Sequence, residues 1–331
     1  MINIFYNPAY IKTKKVILTR SFKNSILYNL FLSLAYMLNL RIPDSLISSG
    51  PQKRMNNAVK AFKNDQSFSL NNIKGTNSYL LQFDDFGEKT INKLIERHGD
   101  KNKILVGPLY SLSGVKKLEK YVNKYPYIKI VVASTIGKEN LLNEIKLNVQ
   151  EEKIVVFPSG IVGQEELQLN QTFSEEEKEI DCLIYFKKRS KDELTLATKL
   201  FKNYGLNFKV FKYGSFDNRK LIATAYKAKF ILLVTGTESQ GFANQELMAT
   251  NTPILVWDHT VNVYENFKLT GTSVPYFSKE SGIVVNSYFE LEKRLENFIN
   301  NLNLYKPRNL ILKDLTYERY KQNLMNQFLN F

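Results

Sequence analysis

The chain alternates short runs of apolar, mostly β-branched residues with longer segments in which apolar residues recur every three or four positions. Runs of the first kind predict buried strands of a parallel sheet, and segments of the second kind predict amphipathic helices. A first series of strands is predicted at 14–19, 78–83, 103–107, 128–134 and 153–160. The intervening helices are predicted at 24–40, 88–98, 114–125 and 138–147. Gly99 is expected to end the second of these helices, and such an alternation is typical of βαβ units.

A polar, acidic linker at 161–179 interrupts the alternation, and a second series follows it. Its strands are predicted at 182–186, 208–213, 230–234, 253–257 and 282–285. Its helices are predicted at 190–204, 218–228, 241–250, 288–302 and 315–328. The pattern therefore predicts an α/β fold in which two Rossmann-like domains present parallel sheets to each other across a cleft. We expect the domains at 1–160 and 161–310, and a closing helix within 311–331 that packs back toward the N-terminal domain.

The composition suits two packed domains, with 44% hydrophobic residues among 331. Cys182 is the single cysteine and there are two histidines, which excludes a disulfide framework and argues against cysteine- or histidine-rich metal sites. The first residues lack the apolar core of a signal peptide, so we expect a cytoplasmic protein. The uncharged segment 24–40 is at the lower limit for a transmembrane helix, and its asparagines and serines favour a buried amphipathic helix over a membrane-docking one.

The net charge of +14 needs an explanation, and the two explanations are an anionic partner and a genomic base bias that enriches lysine, asparagine and isoleucine. Nucleic acid, an anionic membrane surface and phosphorylated substrates all fit this charge. The lysines are spread along the chain without a dense basic cluster, which favours an anionic substrate or peripheral contact with the inner membrane face over nucleic acid.

Two glutamates seven residues apart, Glu238 and Glu246, are the strongest candidates for binding chemistry. The apolar run 228–234 predicts a buried strand, and a helix is predicted to begin near Gly241. Glu238 is therefore expected on a loop at the carboxyl end of a strand, where α/β sheets bind ligands. The N–H groups of a helix start there are suited to phosphate. Two carboxylates beside an anion site suit a ligand that carries both phosphates and hydroxyls, such as a sugar nucleotide.

Residues 153–328 resemble the C-terminal half of a retaining GT-B glycosyltransferase, most similar to glycosyltransferase family 4. The resemblance is carried, in the expected order, by KIVVFPSGI, CLIYFKKRSK, ESQGFANQE, ELMATNTPILVWD, SGIVVNSYFELEKRLENFI and LTYERYKQNL. The third of these matches the E-x7-E motif of that family. Asn251 stands where the family usually has glycine, and it tolerates the left-handed turn that this position needs. The N-terminal half matches only in its alternation of strands and helices.

The resemblance implies that Glu246 accepts hydrogen bonds from the ribose hydroxyls of a nucleotide donor. It places Glu238 near the donor sugar, where a carboxylate orients hydroxyls and stabilises positive charge as the glycosidic bond loosens. The N–H groups of Gly241 and Phe242 are expected to face the diphosphate. Ser239 is expected either to add a hydroxyl contact or to cap the helix.

The resemblance also implies a basic loop that stabilises the leaving diphosphate. It leaves open which of Lys187, Lys188, Arg189 and Lys191 perform that role, and a solvent-exposed basic turn is the alternative.

The base and the acceptor have candidates of their own. The pair Tyr213–Gly214 corresponds to the loop that holds the base, or is a turn behind a core tyrosine. Acceptor-side candidates, chosen by position at the carboxyl ends of N-terminal strands, are Gly107, Tyr110 and Ser134. Because no D-x-D motif is present, we expect transfer without a metal and without a cofactor.

The expected activity is retaining transfer of a sugar, of the hexosyltransferase type, from a nucleotide-diphosphate donor to a hydroxyl on a sugar or lipid-linked acceptor. Surface polysaccharide or glycolipid synthesis is the usual setting of such proteins. The alternatives are a nucleotide-sugar epimerase of GT-B fold and a basic nucleic-acid-binding protein, which would bind DNA with strong salt dependence.

Overall fold

The computed structural model describes residues 1–7, 50–108, 112–163, 178–216, 218–264 and 267–331. The predicted strand 14–19, the predicted helix 24–40 and the candidate Tyr110 lie outside the described residues. Most of the predicted linker 161–179 lies outside them as well.

Six strands of the described chain form an N-terminal sheet in the order β2-β1-β3-β4-β5-β6, with every neighbouring pair parallel. These strands are β1 (Ile2–Phe5), β2 (Phe68–Leu70), β3 (Asn77–Leu80), β4 (Lys103–Val106), β5 (Ile128–Val132) and β6 (Ile154–Val156). This sheet and its helices form the N-terminal lobe. Its described helices are α1 (Gly50–Phe62), α2 (Asp85–His98), α3 (Leu112–Lys124) and the short α4 (Thr135–Glu139), and α4 continues as a π-helical turn over Asn140–Glu144.

A second parallel sheet follows in the order β13-β10-β9-β7-β8. Its strands are β7 (Ile180–Lys187), β8 (Phe208–Lys212), β9 (Ala228–Thr235), β10 (Ile254–Trp257) and β13 (Gly282–Val285). An antiparallel hairpin, β11 (Val261–Tyr264) with β12 (Phe267–Thr270), follows β10. The helices are α5 (Lys191–Asn203), α6 (Asn218–Tyr226), α7 (Phe242–Ala249), α8 (Tyr288–Asn300), α9 (Arg308–Asp314) and α10 (Tyr317–Leu329).

Apart from the edge strand β8, whose residues are half-buried or exposed, the strands of each sheet are largely buried on both faces, which explains their apolar runs. In the C-terminal sheet, Leu183 and Leu233 face a core with α6, α7 and α9, while Ile184 and Leu232 face a core with α5 and α8. The N-terminal sheet is covered in the same way, by α1 on one face and by α2 and α3 on the other. Alternate residues of one strand therefore enter opposite cores.

The last helix packs on the N-terminal lobe. Tyr320 and Phe328 of α10 belong to the same core as Phe62 of α1 and Phe157, which follows β6. The chain passes from one lobe to the other near residue 161 and again near residue 315, and backbone hydrogen bonds join these two segments. The N–H of Ile161 donates to Leu315 O (2.8 Å), and the N–H of Tyr317 donates to Val162 O (2.9 Å).

The structure confirms the α/β fold with two parallel sheets, and most predicted elements are present. Gly99 ends α2 with a φ of 56°, and Asn251 takes the left-handed conformation with a φ of 63°. The helix predicted at 138–147 was misplaced, because Ser134 caps a helix that begins at Thr135. The strand predicted at 153–160 ends earlier, at Val156.

Five described regions were missed: β1, β2, α1, the hairpin and α9. Within the described residues, no helix is both long and apolar enough to cross a bilayer.

Candidate functional site

The carboxyl ends of the two sheets meet across a cleft. Ser159, which follows β6, donates its N–H to Gln240 Oε1 (3.0 Å) and accepts from Gln240 Nε2 (2.7 Å). On the same side, the Tyr276 hydroxyl donates to Ala133 O (2.5 Å), just after β5. The elements that carry Glu238 and Glu246 lie beside these contacts, so both glutamates belong to the edge where α/β sheets bind ligands.

Glu238 forms an ion pair with Lys187, the last residue of β7. Lys187 Nζ lies 2.5 Å from Glu238 Oε1, and the two side chains are 14% and 15% exposed. The same ammonium lies 4.8 Å from the ring centroid of Tyr213, which follows β8. Lys187 therefore connects two loops at the sheet edge, and its ammonium has three N–H donors with which to bind carboxylate and ligand together.

Below this pair, Tyr185 on β7 is fully buried and its hydroxyl has no hydrogen-bond partner among the described atoms. Burial raises the pKa of Tyr185 well above its usual value, and the negative charge of Glu238 raises the pKa further. The phenol is therefore neutral.

Glu246 lies on the second turn of α7 and contacts both lobes. Its Oε2 accepts from Lys53 Nζ at 2.5 Å and from Asn218 Nδ2 at 3.3 Å. Lys53 belongs to α1 of the N-terminal lobe, whereas Asn218 begins α6 of the C-terminal lobe. The Glu246 side chain is 15% exposed, so solvent and a ligand can still reach it.

Helix α7 begins without a side-chain cap. Its N-cap is Gly241 in the left-handed conformation (φ 83°, ψ 51°), and no side chain of the described residues caps its first turn. The capping role considered for Ser239 was wrong, because the chain makes its turn two residues later. Ser239 is exposed beside the helix start. The first-turn N–H groups, beginning at Phe242, are therefore available to an anion.

The basic loop after β7 divides into residues with different surroundings. Lys188 is exposed with a left-handed φ of 55°, and Lys191 is exposed on the first turn of α5. Arg189 is instead 3% exposed and pairs with Glu193. Its Nη1 donates to the carbonyl oxygens of Trp257 (2.8 Å), Thr235 (3.2 Å) and Asp258 (3.2 Å). Arg189 therefore ties together the ends of β9 and β10, whereas Lys187, Lys188 and Lys191 retain cationic groups that a ligand can reach.

Arg189→Met is expected to destabilise the fold by about 2 kcal/mol, because buried carbonyl groups lose their donor and Glu193 loses its partner. Urea unfolding followed by circular dichroism measures this loss. Lys188→Met is the matched control, since its exposed side chain should leave the midpoint unchanged. Equal midpoints for the two variants would show that the Arg189 contacts contribute no stability.

The solved structures show the same architecture. A glycosyltransferase from Rickettsia africae superposes with a TM-score of 0.51 at 14% identity, covering 98% of this chain and 96% of that one. The lipopolysaccharide outer core galactosyltransferase WaaB in its apo form superposes with a TM-score of 0.51 at 11% identity, covering 99% of each chain. The chain has the GT-B fold.

Some similar GT-B structures are longer. The chain spans 58% of the length of TarM, with 83% of this chain covered, a TM-score of 0.42 and 13% identity. No family model and no curated protein sequence matches the chain.

The two described acceptor-side candidates of the N-terminal lobe, Gly107 and Ser134, have mainly structural contacts. Gly107 follows β4 with a φ of 140°, and a side chain there would collide with Val131 O. Ser134 is buried and accepts the N–H of Gly137 as a helix cap (3.3 Å). Their role toward an acceptor stays a prediction, and Tyr110 lies outside the described residues.

Gly214 has a φ of 85° in the turn after β8, next to the half-exposed Tyr213. The Tyr213 ring contacts Lys187 at the sheet edge, and the contact of both residues with a base stays a prediction.

Among the residues of the cleft that the sequence did not indicate are Lys53, Gln240 and Asp258. Lys53 and Gln240 bridge the lobes, and Asp258 organises the loop beyond β10. The Asp258 carboxylate accepts from Ser273 N at 2.6 Å and from Thr272 Oγ1 at 3.0 Å, while Thr272 O accepts the N–H of Glu238 at 2.9 Å. Asp258 thus positions the backbone of Glu238 through Thr272. Its place directly after an apolar strand was the signal that could have identified it.

Within the described residues, no group of three or more histidine, cysteine, aspartate or glutamate side chains is arranged to hold a metal ion. Transfer without a metal stays a prediction.

Proposed function

We propose that the chain is a retaining glycosyltransferase that moves a hexosyl group from a nucleotide-diphosphate donor to a hydroxyl acceptor. The observation that carries this proposal is the arrangement of Lys187 and Glu238 beside Glu246 and the uncapped start of α7, at the cleft edge of a GT-B fold. This edge offers cations and N–H groups for a diphosphate and carboxylates for hydroxyls.

The nucleotide would bind with its ribose at Glu246, its base near Tyr213 and Gly214, and its diphosphate at the N–H groups of Gly241 and Phe242. The exposed Lys188 and Lys191 and the hydroxyl of Ser239 would serve as further ligands for phosphate oxygens. Arg189 would act as a positioning residue, because its guanidinium holds the strand ends that carry this site.

In the transfer step, the bond from the anomeric carbon to the diphosphate oxygen breaks, and its electron pair leaves with the diphosphate. Lys187 stabilises that growing negative charge, while the carboxylate of Glu238 stabilises the positive charge on the sugar. The acceptor oxygen forms the new bond on the same face of the sugar. The acceptor proton passes to an oxygen of the leaving diphosphate, so no metal or cofactor is required.

The acceptor would be a sugar or a lipid-linked hydroxyl in surface polysaccharide or glycolipid synthesis. The basic surface would permit peripheral contact with an anionic membrane on its cytoplasmic side, where nucleotide sugars would be the donors. Gly107, Tyr110 and Ser134 are the proposed acceptor-side positions.

A thermal-shift screen against UDP-, GDP- and ADP-sugars tests the proposal. A donor at one hundred times its Kd should stabilise the fold by about 2.7 kcal/mol, because it binds only the folded chain. Sugar transfer to an added acceptor would support the proposal. Interconversion of the nucleotide sugar without an acceptor would identify an epimerase. Absence of any nucleotide effect together with salt-sensitive DNA binding would identify a nucleic-acid-binding protein.

Glu246→Ala is expected to weaken nucleotide binding about tenfold, because two charge-assisted hydrogen bonds to the ribose are lost. Calorimetry with the donor found in the screen measures this change. A 2′,3′-dideoxy nucleotide is the matched ligand, and its affinity should not fall in the variant, because it has no ribose hydroxyls to lose. An unchanged affinity for the full nucleotide would contradict the ribose role.

A further inference from the structure

The proposed site contains an electrostatic conflict. Two carboxylates, Glu238 and Glu246, lie where a strongly anionic diphosphate would bind, and like charges repel most where solvent is partly excluded. The structure pairs each carboxylate with a separate lysine. Lys187 lies 2.5 Å from Glu238 on the same lobe, and Lys53 lies 2.5 Å from Glu246 across the cleft.

Lys53 is presented by a helix that is held firmly in place. The adjacent Arg54 is buried, and its Nε donates to Ser159 Oγ at 2.6 Å while its Nη1 donates to Leu81 O at 2.8 Å. Met55 of the same turn is fully buried in the core of the N-terminal lobe. Because these contacts fix the first turns of α1, the Lys53 side chain can extend to the opposite lobe with little additional ordering of the backbone.

The contacts of Glu246 leave one oxygen for a ligand. Lys53 and Asn218 both bind Oε2, and no donor of the described residues reaches Oε1. A carboxylate has about four acceptor positions on its two oxygens. The lysine can therefore remain in place while a hydroxyl group of a ligand donates to Oε1. The side chains of Lys53 and Glu246 are 25% and 15% exposed, so this position is open to the cleft.

We propose that Lys53 is a positioning residue of the nucleotide site, contributed by the N-terminal lobe. It neutralises Glu246, so that the carboxylate can hold ribose hydroxyls without repelling the diphosphate attached to the same ribose. This inference rests on the proposed function, since it presupposes a nucleoside diphosphate beside Glu246. It gives the N-terminal lobe a part in donor binding as well as in acceptor binding.

The test is calorimetric titration of the full chain with UDP, GDP and ADP and with the corresponding uncharged nucleosides. Lys53→Met should weaken binding of the preferred diphosphate about tenfold and binding of its nucleoside by less than about threefold, because only the diphosphate is repelled by an unbalanced Glu246. Lys53→Arg should restore most of the affinity. Lys60→Met, an exposed lysine on the same helix, is the matched control and should bind as the wild type does.

A second comparison uses Glu246→Gln. If Lys53 acts by balancing the charge of Glu246, the double variant Lys53→Met/Glu246→Gln, which lacks both charges, should recover the wild-type ratio of diphosphate to nucleoside affinity that Lys53→Met loses. Thermal midpoints without ligand show whether each variant is folded at the titration temperature.

Several results would overturn the inference. Unchanged or tighter diphosphate binding by Lys53→Met would mean that the lysine is a bystander or a competitor of the ligand. Equal losses for diphosphate and nucleoside would assign it a merely structural role. If the wild-type chain binds none of the three diphosphates, the proposed function fails together with this inference. If the wild type binds and Lys53→Met binds equally well, only the role of Lys53 fails.

Discussion

Glu238→Gln is expected to lower kcat for sugar transfer about 100-fold while changing the Kd of the nucleotide donor by less than about threefold. The substitution keeps the size of the side chain but removes the charge that would stabilise the sugar as its bond to the diphosphate breaks. It also removes the ion pair with Lys187, whose ammonium lies 2.5 Å from Glu238 Oε1. Initial rates at saturating donor, together with calorimetric titration of the donor, separate turnover from binding.

Glu296→Gln provides the control, because this glutamate is exposed on α8, outside the cleft. It should transfer sugar at the wild-type rate. If Glu238→Gln retained full turnover, or lost donor binding and turnover in equal measure, the carboxylate would not stabilise the transition state. A loss confined to the donor Kd would instead assign Glu238 to ground-state binding.

Gly282→Ala is expected to destabilise the fold by about 4 kcal/mol or to prevent accumulation of folded protein. Gly282 begins β13 with a φ of 146°, and it pairs with Ile254 on the adjacent β10. An added methyl group would collide with the carbonyl oxygen of Ile254, which cannot move without breaking the register of the sheet. Soluble yield and chemical unfolding of the purified variant measure the effect.

Gly205→Ala separates the collision from backbone strain. Gly205 also has a positive φ, of 67°, but an added methyl group would have no neighbour within 4 Å. We expect a loss of about 1 kcal/mol there, from the left-handed conformation alone. If both substitutions cost the same, the close approach of Gly282 to β10 would not limit the stability of the sheet.

Local patterns were sufficient for most of the fold because four of the five strands in the C-terminal sheet, all except β8, contain a continuous apolar run. The strand predicted at 282–285 has those bounds in the structure. By contrast, β1 is only four residues long and contains Asn3, whose buried amide binds Gly75 O (2.7 Å) and Ser78 Oγ (3.1 Å). A buried asparagine satisfied by residues more than 70 positions away leaves no local signal of a strand.

In the site, too, some features follow from the local sequence and others depend on residues far apart in the chain. The position of Glu238 follows from a strand and a helix start that lie close together in the sequence. The partners of the glutamates do not, because Lys53 precedes Glu246 by 193 positions and lies on a helix that the pattern did not predict. For Arg189, the local sequence suggested a role that its surroundings in the structure make less direct. Its charge pointed to a phosphate ligand, and only the structure shows that carbonyl groups and Glu193 already occupy its guanidinium.

The two crossings between the lobes have a mechanical consequence. The segments around Ile161 and Leu315 lie side by side and are joined by backbone hydrogen bonds, with Val162 paired to Thr316. If one segment connected the lobes, one lobe could rotate about the axis of that segment. Two segments joined by hydrogen bonds resist this rotation, so bending at the connection is the easier motion. The lobes should therefore open and close about one axis, so that Lys53 returns to the same place opposite Glu246 after each excursion.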